Sequence, residues 1–100
     1  MIYLTQLLFL HEGKEAVFHR FEDVAIPLME DYGGRMLYRL RPDAGAYVTS
    51  DDEPPYEIHF LSFPTEERLA AFMKDPRRLE FAHLKDESVR STLLVQGTAL

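Results

Sequence analysis

The chain contains no cysteine. That excludes disulfide scaffolds, thiolate metal sites and any cysteine nucleophile, and it fits a reducing cytoplasm. Positive charge is in short supply as well: 11 Lys and Arg stand against 17 Asp and Glu, a formal net charge of -6 at pH 7. Nucleic-acid binding is driven by clustered cations that displace counterions from phosphates, so this balance argues against such a partner. Five glycines and six prolines are too few for a collagen-like repeat or a disordered low-complexity chain. Long hydrophobic runs are missing too. The apolar stretch from Ile2 to Leu10 is about half of the ~20 residues that span a bilayer, and it carries no basic leader or small-residue cleavage site, so neither a membrane span nor a secretion signal is expected.

What is present is enough apolar material, 46% of 100 residues, to close one core, and no linker, repeat or charge block divides it. One domain spanning residues 1–100 is expected. Ile2 to Leu10 predicts a strand. Val17, Phe21, Val24, Leu28 and Tyr32 recur at three and four residues and predict the apolar face of a helix, with Glu22, Asp23, Glu30 and Asp31 on its remaining surface. Pro27 interrupts that pattern and predicts a bend or irregularity. Gly33 and Gly34 supply the left-handed conformation that ends a helix.

A second strand follows, in which Met36, Tyr38 and Leu40 alternate with Arg35, Leu37, Arg39 and Arg41, predicting one core side and one largely basic side typical of a guarded edge. Pro42 to Pro55 reads as a mobile connection, and Tyr56 to Phe63 as the third strand. Thr65 is a helix cap with Glu66 and Glu67 in the first turn, followed by a buried stripe of Leu69, Phe72 and Met73. Asp75-Pro76 is a second start signal for a segment running to about Lys85, and Val89 to Gly97 is a closing strand.

The order strand, helix, strand, strand, helix, strand is that of an α+β ferredoxin-like βαββαβ fold: a four-stranded antiparallel sheet with two helices on one face. Right-handed crossovers place the first and third strands at the centre. Both central strands are apolar at both parities, Leu4, Leu8 and Leu10 against Leu7 and Phe9, and Ile58 and Phe60 against Leu61 and Phe63. A face that greasy needs covering, and a second copy of the same sheet is the economical cover, so the expected partner is the chain itself, a homodimer through the sheet face.

Tyr32-Gly33-Gly34-Arg35, Phe63-Pro64-Thr65-Glu66, Ala71-Phe72 before Asp75-Pro76, and Val95-Gln96-Gly97, in this order of elements, resemble the dimeric α+β barrel superfamily. Within it the sequence looks nearest to a small group of uncharacterised bacterial domains of unknown function. The resemblance implies a homodimer whose sheets form a barrel, with a ligand cleft in each subunit between sheet and helices. Relatives of that architecture include cofactor-independent quinone-forming monooxygenases, muconolactone isomerases and haem-dependent enzymes, so fold alone selects no reaction. The stretch from Asp43 to Pro55 departs from the nearest group by lacking its Glu-Gly-aromatic segment.

Few residues promise chemistry. His11, His19 and His83 lack metal-ligand spacing, and His19 and His83 read as solvated or capping side chains; no metal or cofactor is expected. His59 differs, because it lies in a central strand between Ile58 and Phe60. It shares parity with Glu57, and Arg39 on the adjoining strand can point the same way, so a base, an acid and a cation converge as a candidate ligand site with His59 as candidate catalytic residue. The competing interpretation is a structurally hydrogen-bonded histidine within the dimer contact. Tyr3, Gln6, Tyr38 and Ser62 are further polar candidates for a pocket, Tyr38 being counted with His59, Arg39 and Glu57. Two functions follow: a small-ligand-binding dimer with no assigned reaction, or a cofactor-independent monooxygenase or isomerase acting on a small aromatic, quinone or lactone.

Overall fold

A computed structural model describes residues 1–100. The elements are β1 (Ile2–Leu10), α1 (Glu15–Glu30), β2 (Arg35–Leu40), β3 (Glu57–Phe63), α2 (Glu66–Met73), α3 (Pro76–Glu80), α4 (Ala82–Ser88) and β4 (Val89–Gly97). The strands form one antiparallel sheet in the order β2-β3-β1-β4, with the two strands that are apolar at both parities in the middle. This is the expected α+β ferredoxin-like arrangement. The second helical region is three short helices in place of two segments, with the additional break at Phe81.

Sheet and helices meet through one parity of each central strand. Ile2, Leu4, Leu61 and Phe63 pack with Phe21, Ala25, Leu28 and Met29 of α1, Phe72 of α2 and Leu84 of α4. The buried face of α1 is rotated from the predicted one: Phe18, Phe21, Glu22, Ala25, Leu28 and Met29 are buried, while Val17 and Val24 are only half-buried. Glu22, expected on the surface, therefore lies inside. The same correction applies to Met73, which is 42% exposed although Phe72 beside it is buried. The helix runs on through Pro27, which lies on its exposed side.

Several punctuation residues do what their chemistry requires. Gly33 has φ +75°, and the Gly34 amide donates to the Met29 carbonyl at 2.9 Å, closing α1. A side chain on Gly34 would strike the Phe63 ring at 2.8 Å, so the turn can sit directly on the core. The Thr65 hydroxyl accepts from the Arg68 amide at 3.1 Å, and the Asp75 carboxylate accepts from the Arg77 amide at 2.7 Å, capping α2 and α3. Tyr32 also donates to Asp75, which ties the end of α1 to the start of α3. Hydrogen bonds from Arg77 and Tyr32 hold the Asp75 carboxyl well below the usual carboxylate range.

The second strand departs from simple alternation. Met36 pairs with Leu61 but Tyr38 pairs with Phe60, so Leu37 is an extra residue in a bulge. Because side chains alternate with period two, one inserted residue exchanges the faces of everything after it. Tyr38 and Leu40 thus lie opposite Phe60 and Ile58 on the outer face, 64% and 50% exposed, and do not form a core side with Met36. Arg39 turns inward across from His59, and the expected single basic row is split, with Arg35 opposite Ser62.

The outer face carries no helix. Tyr3, Leu7 and Phe9 of β1, Ile58 and Phe60 of β3, and Leu93 and Val95 of β4 join Tyr38 and Leu40 there by register. The Tyr3 and Phe60 rings stack at 5.9 Å, and Tyr38 lies 6.2 Å from Phe60. No helix of the chain is long and apolar enough to cross a membrane.

Candidate functional site

Glu57 and His59 are two apart on β3, so the pleat sends both toward the helices. Glu57 is fully buried and His59 is 2% exposed. A buried carboxylate must be paired to remain charged. Three donors meet this one: Arg39 Nε at 3.0 Å and His59 Nε2 at 2.5 Å reach Oε2, and Arg41 Nε reaches Oε1 at 2.5 Å. Burial alone would raise the Glu57 pKa, but these hydrogen bonds outweigh it and hold the carboxyl at about 2. The bond to Glu57 raises the Arg41 guanidinium in turn, and that group also sits 5.6 Å from the Tyr56 ring centre.

This arrangement fixes the histidine. Because Glu57 accepts from Nε2, the neutral ring keeps its proton there and leaves Nδ1 as the acceptor. The Phe18 ring stacks on the imidazole at 6.4 Å and an interplanar angle of 26°, which restrains its orientation. An acid that orients a histidine by one nitrogen and leaves the other free is the supporting half of a general-base site.

His59 forms part of the wall of a cavity of about 90 Å³ between sheet and helices. That is several times the ~10–15 Å³ one water requires. Most of the lining is apolar, with Leu4, Leu8, Phe18, Phe21 and Leu61 near the middle of the fold. The other polar groups on the wall are Gln6, Glu22, Arg78, Lys85 and Thr92. Glu57 is not on the wall; it holds His59 from behind.

The predicted convergence of His59, Glu57 and Arg39 is thus present, and Arg41 joins it. Tyr38 is not with them, since the bulge at Leu37 places it on the outer face. Gln6 pairs across from His59 and lines the cavity, whereas Tyr3 and Ser62 belong to the outer register. His59 is on the helix side of the sheet and so lies outside the outer face where a dimer contact was considered for it. His19 is not simply solvated: its Nε2 lies 2.7 Å from the Tyr56 hydroxyl. His83 is exposed at the start of α4 with Nδ1 3.2 Å from the Glu80 carbonyl.

Glu22, Arg78 and Lys85 were missed. Glu22 was detectable from the stripe Phe18-Glu22-Ala25-Met29, which has helical spacing but contains an acid in its centre. Nothing local in the sequence marks Arg78 or Lys85. Burial raises the Glu22 pKa, against the pull of Arg39, and burial lowers that of Lys85. A carboxyl whose folded pKa is raised holds its proton longer in the folded state, so stability falls as pH rises from the ordinary value of 4.5 through the raised one. Glu22→Gln is therefore expected to raise the melting temperature at pH 7.5 and to make no difference at pH 4; an equal gain at both would show that the charge is not the cause.

No protein-family model matches the sequence, and no curated protein matches it. Solved structures do. A protein of unknown function from Rhodopseudomonas palustris superimposes with a TM-score of 0.85 at 15% identity, over 99% of this chain and 82% of that one. A candidate antibiotic biosynthesis monooxygenase from Nitrosomonas europaea gives 0.69 at 15% identity, over 100% and 99%. A protein from Bacteroides fragilis, described as dimeric, of unknown function and ferredoxin-like in fold, gives 0.66 at 14%, over 96% and 93%. The chain superimposes on all three and shares their fold, which is described as ferredoxin-like for the Bacteroides protein.

Proposed function

We propose that this chain is a single-domain, homodimeric protein of the cytoplasm that takes a small, largely apolar organic molecule into the cavity beneath its helices and moves a proton on that molecule through His59. The observation that carries this reading is the buried Glu57–His59 pair, in which the carboxylate fixes Nε2 and leaves Nδ1 as the acceptor on a ring that lines the cavity. A histidine serving only as structural filler gains nothing from a free nitrogen beside a cavity. Arg39 and Arg41 keep Glu57 ionised, so the support survives throughout the neutral range.

The dimer rests on a separate observation, the apolar outer face. Leu93 and Val95 are 57% and 59% exposed, on the same side as Tyr38, Leu40 and Phe60. Apposition of two such faces about a two-fold axis would bury all of them at once.

Two reaction classes suit a lone oriented base: isomerisation of a lactone, in which a proton lost next to its carbonyl is returned at another carbon, and cofactor-independent monooxygenation of a phenol or quinol by dioxygen, which begins with loss of its O–H proton and ends with one oxygen atom in the quinone product and the other in water. The candidate monooxygenase of the same fold favours keeping the second. The acidic net charge speaks against a nucleic-acid partner. Solvent-deuterium exchange, followed by proton NMR on a panel of small lactones and cyclic ketones, tests proton abstraction directly. The wild-type protein is expected to speed exchange on at least one member, and His59→Asn to slow it by about 10²-fold or more, the usual scale for a general base. Exchange undiminished in His59→Asn would overturn the assignment.

A further inference from the structure

The cavity holds more positive charge than its own residues neutralise. Arg78 is 8% exposed, and its Nε is buried without a hydrogen-bond partner. Its guanidinium is placed between two aromatic rings, 5.6 Å from the Phe21 centroid and 5.4 Å from that of Phe72. Those contacts hold the plane of the group but satisfy none of its N–H donors. Lys85 shares the wall, and neither cation takes part in any ion pair of the chain. The sole acid on the wall is Glu22, so two cations face one carboxyl that burial already disfavours as an anion. A buried, unpaired guanidinium is costly, and evolution can replace one by an apolar side chain at little loss unless it has a partner to meet.

We propose that the molecule taken into this cavity is a small monocarboxylate, its carboxylate held by the Arg78 guanidinium with Lys85 beside it and its apolar body lying against the leucine and phenylalanine wall toward His59. This rests on the reading of the cavity as a small-molecule site and adds the class of molecule. A planar fork with free N–H edges matches the two oxygens of a carboxylate. Most of the remaining wall is apolar, which suits a ligand with one singly charged end better than the dianionic head of a phosphate or phosphonate.

The test is calorimetric titration of the full chain with benzoate, cyclohexanecarboxylate and 4-methylpentanoate, each beside its own primary amide, and with phenylphosphonate. At least one carboxylate is expected to bind about tenfold or more tighter than its amide and tighter than phenylphosphonate, a fold-change in line with charge-assisted hydrogen bonds. Arg78→Met is expected to fold and to bind acid and amide alike, and Lys85→Met to keep part of the preference. Equal affinity for acid and amide in the wild type, tighter binding of phenylphosphonate, or a preference undiminished in Arg78→Met would overturn the carboxylate assignment alone. Failure of every acid and amide to bind would overturn the cavity reading and this inference together. Should Arg78→Met not fold, the wild-type acid-to-amide comparison and Lys85→Met still decide it: no preference in the wild type, or a preference undiminished in Lys85→Met, would overturn the assignment.

Discussion

Glu57→Gln is expected to lower the melting temperature by about 12–24 °C at neutral pH, taking roughly 4–8 °C per kcal/mol for a domain of this size. The side chain is fully buried, and its pKa of about 2 lies well below the ordinary 4.5. A depressed carboxyl pKa contributes stability that is fully present above the unfolded value and disappears as pH falls through the folded one; from 4.5 to about 2 this amounts to about 3 kcal/mol. The amide keeps the shape but loses the charge that Arg39, Arg41 and His59 all address. Arg39 and Arg41 are 30% and 49% exposed and can regain water, which keeps the loss below that of stranding a fully buried cation. Thermal unfolding followed by circular dichroism across pH 2–8 checks both parts. The wild type should lose stability between pH 4.5 and 2, and the variant should start lower and lose less over that interval. Equal melting temperatures at pH 7 would mean the cluster is not coupled to folding.

The second large effect concerns the outer face. Leu93→Lys is expected to convert a dimer into a monomer at micromolar concentration, with dissociation strengthened by at least about 100-fold, because the two-fold axis introduces two ammonium groups into an apolar contact. Leu93 is 57% exposed in the single chain, so the substitution costs the fold of each subunit little. Light scattering should return twice the chain mass for the wild type and once for the variant. A wild-type protein that scatters as one chain would remove the dimer from this account while leaving the cavity untouched, since no outer-face residue lines it.

Much of this fold is legible in the sequence because its signals are local. The glycine pair after Tyr32, the caps at Thr65 and Asp75, and apolar strands at both parities each act within a few residues, and they mark the helix ends and the central strands. What failed was phase. The stripes Val17-Phe21-Val24-Leu28 and Phe18-Glu22-Ala25-Met29 lie one residue out of phase, and packing against the sheet centres the buried face so that Glu22 lies inside. The bulge at Leu37 has no sequence signal comparable to a glycine, yet it decides that Arg39 meets Glu57 and that Tyr38 does not. His59 with Glu57 was legible because a two-residue spacing on one strand fixes a shared face. Arg78 and Lys85 were not, since their place on the cavity wall depends on how three short helices fold back over the sheet.

The claim on which the rest depends is that Glu57 fixes Nε2 of His59 as the donor and leaves Nδ1 as the acceptor on a ring that lines the cavity. Long-range ¹H–¹⁵N correlation spectra of the imidazole rings, recorded on the neutral form, report which nitrogen carries the proton. His59 should appear as the Nε2–H tautomer, and Glu57→Gln should change its signal while leaving that of exposed His83 in place. A His59 ring protonated on Nδ1 in the wild-type protein would contradict the account.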